Sequence, residues 1–251
     1  MIIIKDMAQG SKEWLELRLG VVTASGVKQL FSFGEKSGWR HDECATWHAN
    51  EATALKCRKG MSVPEYREAL TVTLSAQRDK YRNQLLAEWV TGEPVDEFYG
   101  TYWTERGKEL EGEAADYFSL QTDLNVEACA FIFRDDSRTA GSSPDMLVVD
   151  SNGEVVAGLE LKCPNAATHV GYLLDGRDAY EEQVQMSLWA SQLPAWWFMS
   201  YHPALPPYLE CVKPVADYQS AFDEHLPEFL KEVEEGKDKL RVMGAADHLV
   251  G

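Results

Sequence analysis

From Ser142 to Pro164 the chain reads SSPDMLVVDSNGEVVAGLELKCP, with apolar runs on either side of a Ser151-Asn152-Gly153 turn. That pattern predicts a β-hairpin. Other elements follow from similar patterns. MIIIKD reads as a first strand. SKEWLELRLG, with Ser11 as N-cap and Gly20 as stop, predicts a short helix. Thr23 to Ser25 in VVTASGVKQLF mark a second helix start. Residues 32–45 are Gly-rich and polar and predict a loop, while the stretch from Ala45 to Val90 reads as helical, interrupted near Gly60 to Pro64. After the break VTGEPVDEF come a helix over TERGKELEGEAADYFSL and a strand over 126–134. Beyond the hairpin lie a helix from about Asp178 to Leu193, the apolar strand AWWFMSYHP and a strand near YLECVKPV. A charged helix from Asp217 to about Val242, bent at Pro227, closes the chain. Strands and helices mixed without a regular βαβ rhythm predict an α+β or mixed α/β fold.

At 251 residues the chain can bury a substantial core, and no apolar run approaches a membrane span. Its 5 Cys are scattered without a CxxC pair, which predicts reduced thiols in a cytoplasm. Cys44, His48 and Cys57 form only part of a zinc set, lacking a fourth ligand and the usual spacing. The net charge of −17 is unevenly spread. Residues 1–82 hold 13 Lys/Arg and 10 Asp/Glu, whereas the remaining 169 hold 11 and 31. Such a balance suits a DNA enzyme whose acids repel nucleic acid everywhere except at one groove, and it suits many metabolic enzymes equally.

The hairpin carries candidate chemistry. Gly158, Glu160 and Lys162 fall on one face of its second strand, with Ala157, Leu159, Leu161 and Cys163 on the other. Asp145 stands at the mouth of the partner strand. Two carboxylates converging there would hold a hard cation such as Mg²⁺, and a neighbouring Lys would act on bound water or balance phosphodiester charge. An exposed edge hairpin with a Glu–Lys pair fits the same spacing. Glu111 lies on a stripe with Gly107, Ala114, Ala115 and Phe118, so it is an acid on a core-facing stripe. It is either a third ligand or a carboxylate paired at the core edge. Gln183 interrupts a packing helix and shares a face with Tyr180 and Ser187, where it would hold a phosphate oxygen or water, or simply form a polar edge.

These blocks stand in order: WLELRLGVVTAS (14–25), ERGKELE (105–111), RDDSRTA (134–140) with SPD (143–145), LELKCP (159–164), AYEEQVQ (179–185) and FDEHLPEF (222–229). The set resembles the PD-(D/E)xK nucleases, and more narrowly the phage lambda exonuclease type of viral recombination exonuclease. The resemblance implies an α/β fold, with a central mixed β-sheet flanked by helices. It leads us to expect a single nuclease domain over 1–251, with a helical insertion at about 36–75 that the resemblance does not cover. It implies Asp145, Glu160, the Leu161 carbonyl and Glu111 as metal ligands. Mg²⁺, with Mn²⁺ as an alternative, would be the cofactor, as two ions. Lys162 would act on the attacking water, with Gln183 and Tyr180 beside the site. Arg18, Ser25 and Ser143 would receive a 5′-phosphate, and the start of a helix at Thr23 to Ser25 would favour that anion. The implied activity is 5′→3′ degradation of one strand of linear double-stranded DNA, leaving a 3′ overhang. The implied partners are double-stranded DNA ends, a single-strand-annealing recombination protein and two further copies in a homotrimer ring, with no membrane. The implied setting is the cytoplasm of a bacterial host, with phage or prophage origin.

Two other functions fit parts of the pattern. A site-specific PD-(D/E)xK endonuclease would differ by cutting circular duplex. A non-catalytic acidic module that mimics DNA or binds a partner would carry a degenerate site, whereas Asp145, Glu160 and Lys162 are all present.

Overall fold

Alternating apolar residues sort the strands into three sheets. The computed structural model describes residues 1–43, 46–57, 61–95 and 102–248, with side chains from residue 110 onward in the helix that begins at 102. In chain order the elements are β1 (Ile2–Ile4), α1 (Lys12–Leu17), β2 (Val22–Thr23), α2 (Val27–Leu30), β3 (Phe31–Arg40), α3 (Glu51–Cys57), β4 (Glu65–Leu74) and α4 (Arg78–Thr91). They continue with α5 (Tyr102–Thr122), β5 (Asn125–Ala128), β6 (Phe131–Phe133), β7 (Ala140–Ser142), β8 (Met146–Val149), β9 (Val155–Lys162) and α6 (Ala166–Asp175). The last four are α7 (Glu181–Ser191), β10 (Trp196–Ser200), β11 (Tyr208–Val212) and α8 (Ala216–Val242).

The largest sheet has the order β11-β10-β9-β8-β5. It is mixed, because β9 and β10 run parallel while the other neighbours run antiparallel. The apolar side of β9 (Ala157, Leu159, Leu161) packs on Ala114, Ala115 and Phe118 of α5, as the stripe on that helix predicts. On the opposite face, Tyr172 of α6 with Val184 and Leu188 of α7 covers Trp196 and Phe198. Burying each such side chain contributes about 1.5–3 kcal/mol. A second sheet, β1-β6-β7-β2, lies against the other flank of α7. The fold is therefore the expected mixed α/β arrangement, with α7 as the helix both sheets share. Arg134 at the end of β6 lies 3.7 Å above the Trp189 ring, and Asp223 of α8 accepts from both Trp189 Nε1 (2.7 Å) and Arg134 Nη2 (3.2 Å). This knot ties the RDDSRTA and FDEHLPEF blocks to α7.

Several local expectations need correction. Residues 36–75 are not a helical insertion. β3 and β4 form a two-stranded ribbon, Phe31 opposite Leu74 through Arg40 opposite Glu65, and α3 is the helix between them. The apolar alternation of Leu70, Val72 and Leu74 suits a strand once a partner is present. Gly34 and Gly38 give that partner the composition of a loop. Residues 126–134 are not one strand but β5 and β6, which belong to different sheets. Helix α6, capped by the Asn165 side chain accepting from Thr168 N–H, was not anticipated. Of the partial zinc set, His48 Nε2 and Cys57 Sγ are 2.9 Å apart, and Cys44 lies outside the described residues.

Candidate active site

Strand β8 stops before β9 does. Met146 is the last residue paired, opposite Leu159, yet β9 continues to Lys162. In a strand the N–H and C=O of one residue point to the same edge. Gly158 and Lys162 turn theirs toward β10: Gly158 N–H reaches Ala195 O, and Lys162 O accepts from Tyr201 N–H at 2.8 Å. Leu161 consequently faces the other edge, vacated by β8. There its N–H donates to Asp145 Oδ2 at 2.6 Å, and its carbonyl is directed the same way. Pro144 is fixed from behind, because Gln9 Nε2 donates to its carbonyl at 2.7 Å.

Glu160 and Lys162 project from the face of β9 opposite α5. Glu160 is 5% exposed, and its Oε1 accepts from Lys162 Nζ at 2.6 Å and from Gln183 Nε2 of α7 at 3.0 Å. Lys162 Nζ also stands 5.2 Å from the Tyr180 ring centroid. At Gly158 the indole of Trp196 fills the space a side chain would take, since an added Cβ would lie 2.4 Å from its ring. Glu160 thus shares its face of the sheet with an aromatic ring, a surface of lower dielectric constant than water.

The electrostatics follow. Burial pushes the Asp145 carboxyl up to about 8, Glu160 and Glu111 add to the rise, and Lys162 and the Leu161 N–H oppose it. Burial alone would depress the Lys162 ammonium. Glu160 and Asp145 outweigh it and hold the group above its usual range, so it keeps its proton.

This donor set fits a hard divalent cation. Asp145 Oδ2 and Glu160 Oε1 are held by protein donors, while the second oxygen of each carries no hydrogen bond among the described residues. An all-oxygen pair with a backbone carbonyl beside it matches the ligands Mg²⁺ prefers. Among the described residues no third His, Cys, Asp or Glu closes on the pair. Glu111 is half-buried on α5 and reaches Asp145 through its field alone.

Of the residues expected to take a phosphate, strand pairing brings the Ser25 turn close to β7, whose next residue is Ser143: β2 runs parallel to β7, Val22 beside Ala140 and Thr23 beside Gly141. Ser143 Oγ is buried without a hydrogen-bond partner, and so is Ser142 Oγ. Arg18 caps the end of α1, with its guanidinium 4.0 Å from the Trp14 ring centroid. It forms no ion pair with Glu13 or Glu16, and Glu16 pairs with Lys12 instead. Its Nε is buried and unpartnered. Ser25 is exposed, with its Oγ 3.1 Å from Thr23 Oγ1. The helix-start argument for this turn does not hold. Ala24–Gly26 is a 3-10 turn followed by the four residues of α2, too short to build an end charge of any size.

Sequence reasoning missed two residues behind that turn. Tyr81 accepts from Thr23 N–H at 3.2 Å, and Glu88 accepts from Gly20 N–H at 3.0 Å. Glu88 lies on the buried stripe Tyr81, Leu85, Glu88, Trp89, which is the same signal that singled out Glu111. Gln185, by contrast, is structural: its amide binds Glu181, Lys213 O, Val215 N–H and Gln219.

Residues 13–194 match the model of a YqaJ-like viral recombinase domain. Over 62 residues, 24% of this chain and 71% of the relative, the sequence is 32% identical to a protein named ExoD from Escherichia coli (strain K12). Among solved structures it is similar to an alkaline exonuclease (LHK-Exo) from Laribacter hongkongensis, with a TM-score of 0.67 and 23% identity over 94% of this chain and 98% of that one. LHK-Exo in complex with dAMP gives a TM-score of 0.66 at 22% identity over the same shares. These likenesses show that the mixed α/β fold is shared with LHK-Exo.

Proposed function

The chain belongs to the family of YqaJ-like viral recombinase domains, and on that premise we propose that it is a divalent-metal-dependent deoxyribonuclease. It degrades one strand of linear double-stranded DNA in the 5′→3′ direction and leaves a 3′ overhang for recombination by strand annealing. The observation that carries this reading is the buried edge where Asp145, Glu160 and Lys162 meet over Gln183. The LHK-Exo complex with dAMP supports a mononucleotide product.

Asp145, Glu160 and the Leu161 carbonyl would hold one Mg²⁺, and Glu111 would contribute to a second; Mn²⁺ is the alternative ion. When bound, the metal supplies Lewis acidity toward a phosphoryl oxygen and lowers the pKa of water. The chain's own groups do the rest. Lys162, held as an ammonium, orients the attacking water and offsets phosphate charge as a donor rather than a base. Gln183 fixes the rotation of the Glu160 carboxylate through its 3.0 Å hydrogen bond, leaving the other oxygen to face the metal. Tyr180 forms a wall beside Lys162.

Arg18, Ser25 and Ser143 receive the terminal 5′-phosphate. A guanidinium without a carboxylate partner and an orphaned buried hydroxyl are the groups an anion would satisfy. With the phosphate seated there, the scissile bond is set relative to Asp145, which fixes direction. The family reading extends to a homotrimer ring that threads DNA ends, a single-strand-annealing partner protein, and action in a bacterial host's cytoplasm. One experiment tests the activity. Linear duplex labelled at either 5′ or 3′ ends is incubated with Mg²⁺ beside a covalently closed circle. A 5′ label should appear first as mononucleotide, and the circle should stay intact; a cut circle would point to an endonuclease instead.

A further inference from the structure

The loop bearing Arg18 and Ser25 has little structure of its own, so something else must hold it. Helix α4 supplies two buried polar groups for this purpose. Tyr81 is 3% exposed, and its ring stacks on Phe229 with centroids 6.0 Å apart. Its hydroxyl accepts from Thr23 N–H at 3.2 Å. Gly26 lets the turn close over that hydroxyl, since an added Cβ would lie 2.4 Å from it. One turn pair further on, Glu88 Oε2 accepts from Gly20 N–H at 3.0 Å while Oε1 accepts from Gln84 Nε2 at 3.1 Å. Both carboxylate oxygens are therefore engaged. Burial lowers the pKa of the Arg18 guanidinium against the opposing fields of Tyr81 and Glu88, and Arg18 and Glu88 form no ion pair among the described residues. Trp14, anchored by Nε1 to Ala130 O at 2.8 Å, supports the guanidinium from the other side.

Polar groups on an otherwise apolar buried stripe are costly unless they hold something. Phe and Leu would fill the same space. What the polar choice adds is a fixed position for the Gly20 and Thr23 amides, and through β2 and β7 a fixed distance from this loop to Ser143 and Asp145. We infer that Tyr81 and Glu88 are positioning residues that set the Arg18–Ser25 loop for the terminal phosphate, an inference that rests on the exonuclease reading above. Neither touches substrate. They act through the backbone of the loop, Tyr81 on the Thr23 amide and Glu88 on the Gly20 amide.

The test uses the full chain with Mg²⁺ and matched linear duplexes ending in 5′-phosphate or 5′-hydroxyl. Tyr81→Phe keeps the ring stack and removes only the hydroxyl; Glu88→Gln keeps one acceptor oxygen but turns the other into a donor, so the charge and one of the two hydrogen bonds are lost. For each, the ratio of kcat/KM between the two ends should fall about fivefold, the worth of roughly one hydrogen bond. In Tyr81→Phe the Thr23 amide should also exchange faster with solvent. A variant that is merely less stable lowers both rates alike and leaves the ratio where it was, which would overturn the inference. Arg18→Ala separates the two layers. If wild type discriminates and Arg18→Ala does not, while both α4 variants discriminate fully, the inference fails alone. If wild type shows no preference, the phosphate pocket and the inference fail together.

Discussion

The Asp145–Glu160 edge and the Arg18–Ser25 loop are built in opposite ways. At the edge every charge is fixed by near neighbours: Asp145 by the Leu161 N–H across the hairpin, and Glu160 by Lys162 two residues on and by Gln183 beneath. The loop is fixed from a distance, by Glu88 and Tyr81, which lie 68 and 58 residues further along. The edge also works against itself electrostatically, because buried acids face each other there, while the loop presents a cation whose opposing charge is held aside. The groups to which we assign the chemistry are thus locked by the strand ladder, and those to which we assign the DNA end are locked by a helix. Substitutions in the two regions should separate rate from end preference.

The sharpest way to break this contrast is Glu160→Gln. It keeps the shape and loses the metal-binding charge, so hydrolysis should fall on the order of 10²–10³-fold for both kinds of DNA end. A drop confined to one kind of end would erase the distinction between the regions. Next in size is Arg18→Ala, for which the preference for a 5′-phosphate should fall about ten- to a hundredfold, the range for hydrogen bonds to a charged group. Competition between phosphorylated and hydroxyl ends in one reaction measures this directly. Gln183→Ala should cost about tenfold in kcat with no change in end preference, as for other residues that orient a ligand from behind. The smallest effect concerns stability. The folded Asp145 carboxyl holds its proton up to about 8, against about 3.9 in an unfolded chain. Stability from this group is complete below the unfolded value and is lost as pH rises through the folded one. Metal-free protein should therefore melt lower as pH increases from about 4 to about 8, and Asp145→Asn should flatten that slope. Added Mg²⁺, which needs the ionised form, should restore stability at the upper end of the window.

How much of this was readable beforehand depends on how local each feature is. The β8–β9 hairpin, the face shared by Glu160 and Lys162, and the core stripe of Ala114, Ala115 and Phe118 all follow from spacing within one element. The β3–β4 ribbon did not, because a strand such as 31–40, with Gly34 and Gly38 in it, takes its form from a partner 25 to 43 residues away. The helix start at Thr23 to Ser25 was legible, but its shortness was not. Small residues after a short strand look like a helix start, and only the close approach to Tyr81 shows why a glycine and a tight 3-10 turn stand there. Glu88 was legible in principle, as an acid on a buried stripe, but nothing in the sequence links it to Gly20.

The central claim is that Asp145 at the vacated edge of β9 is what couples a divalent metal to DNA hydrolysis. The most direct measurement is hydrolysis of 5′-phosphorylated linear duplex by wild type and Asp145→Asn across a Mg²⁺ titration at pH 9, with DNA binding followed in parallel. Wild-type hydrolysis should rise with Mg²⁺ and saturate, while Asp145→Asn should bind the same DNA and leave it uncut at every Mg²⁺ concentration. Wild-type rates in the variant, or wild-type hydrolysis unaffected by removing all divalent metal, would contradict the account.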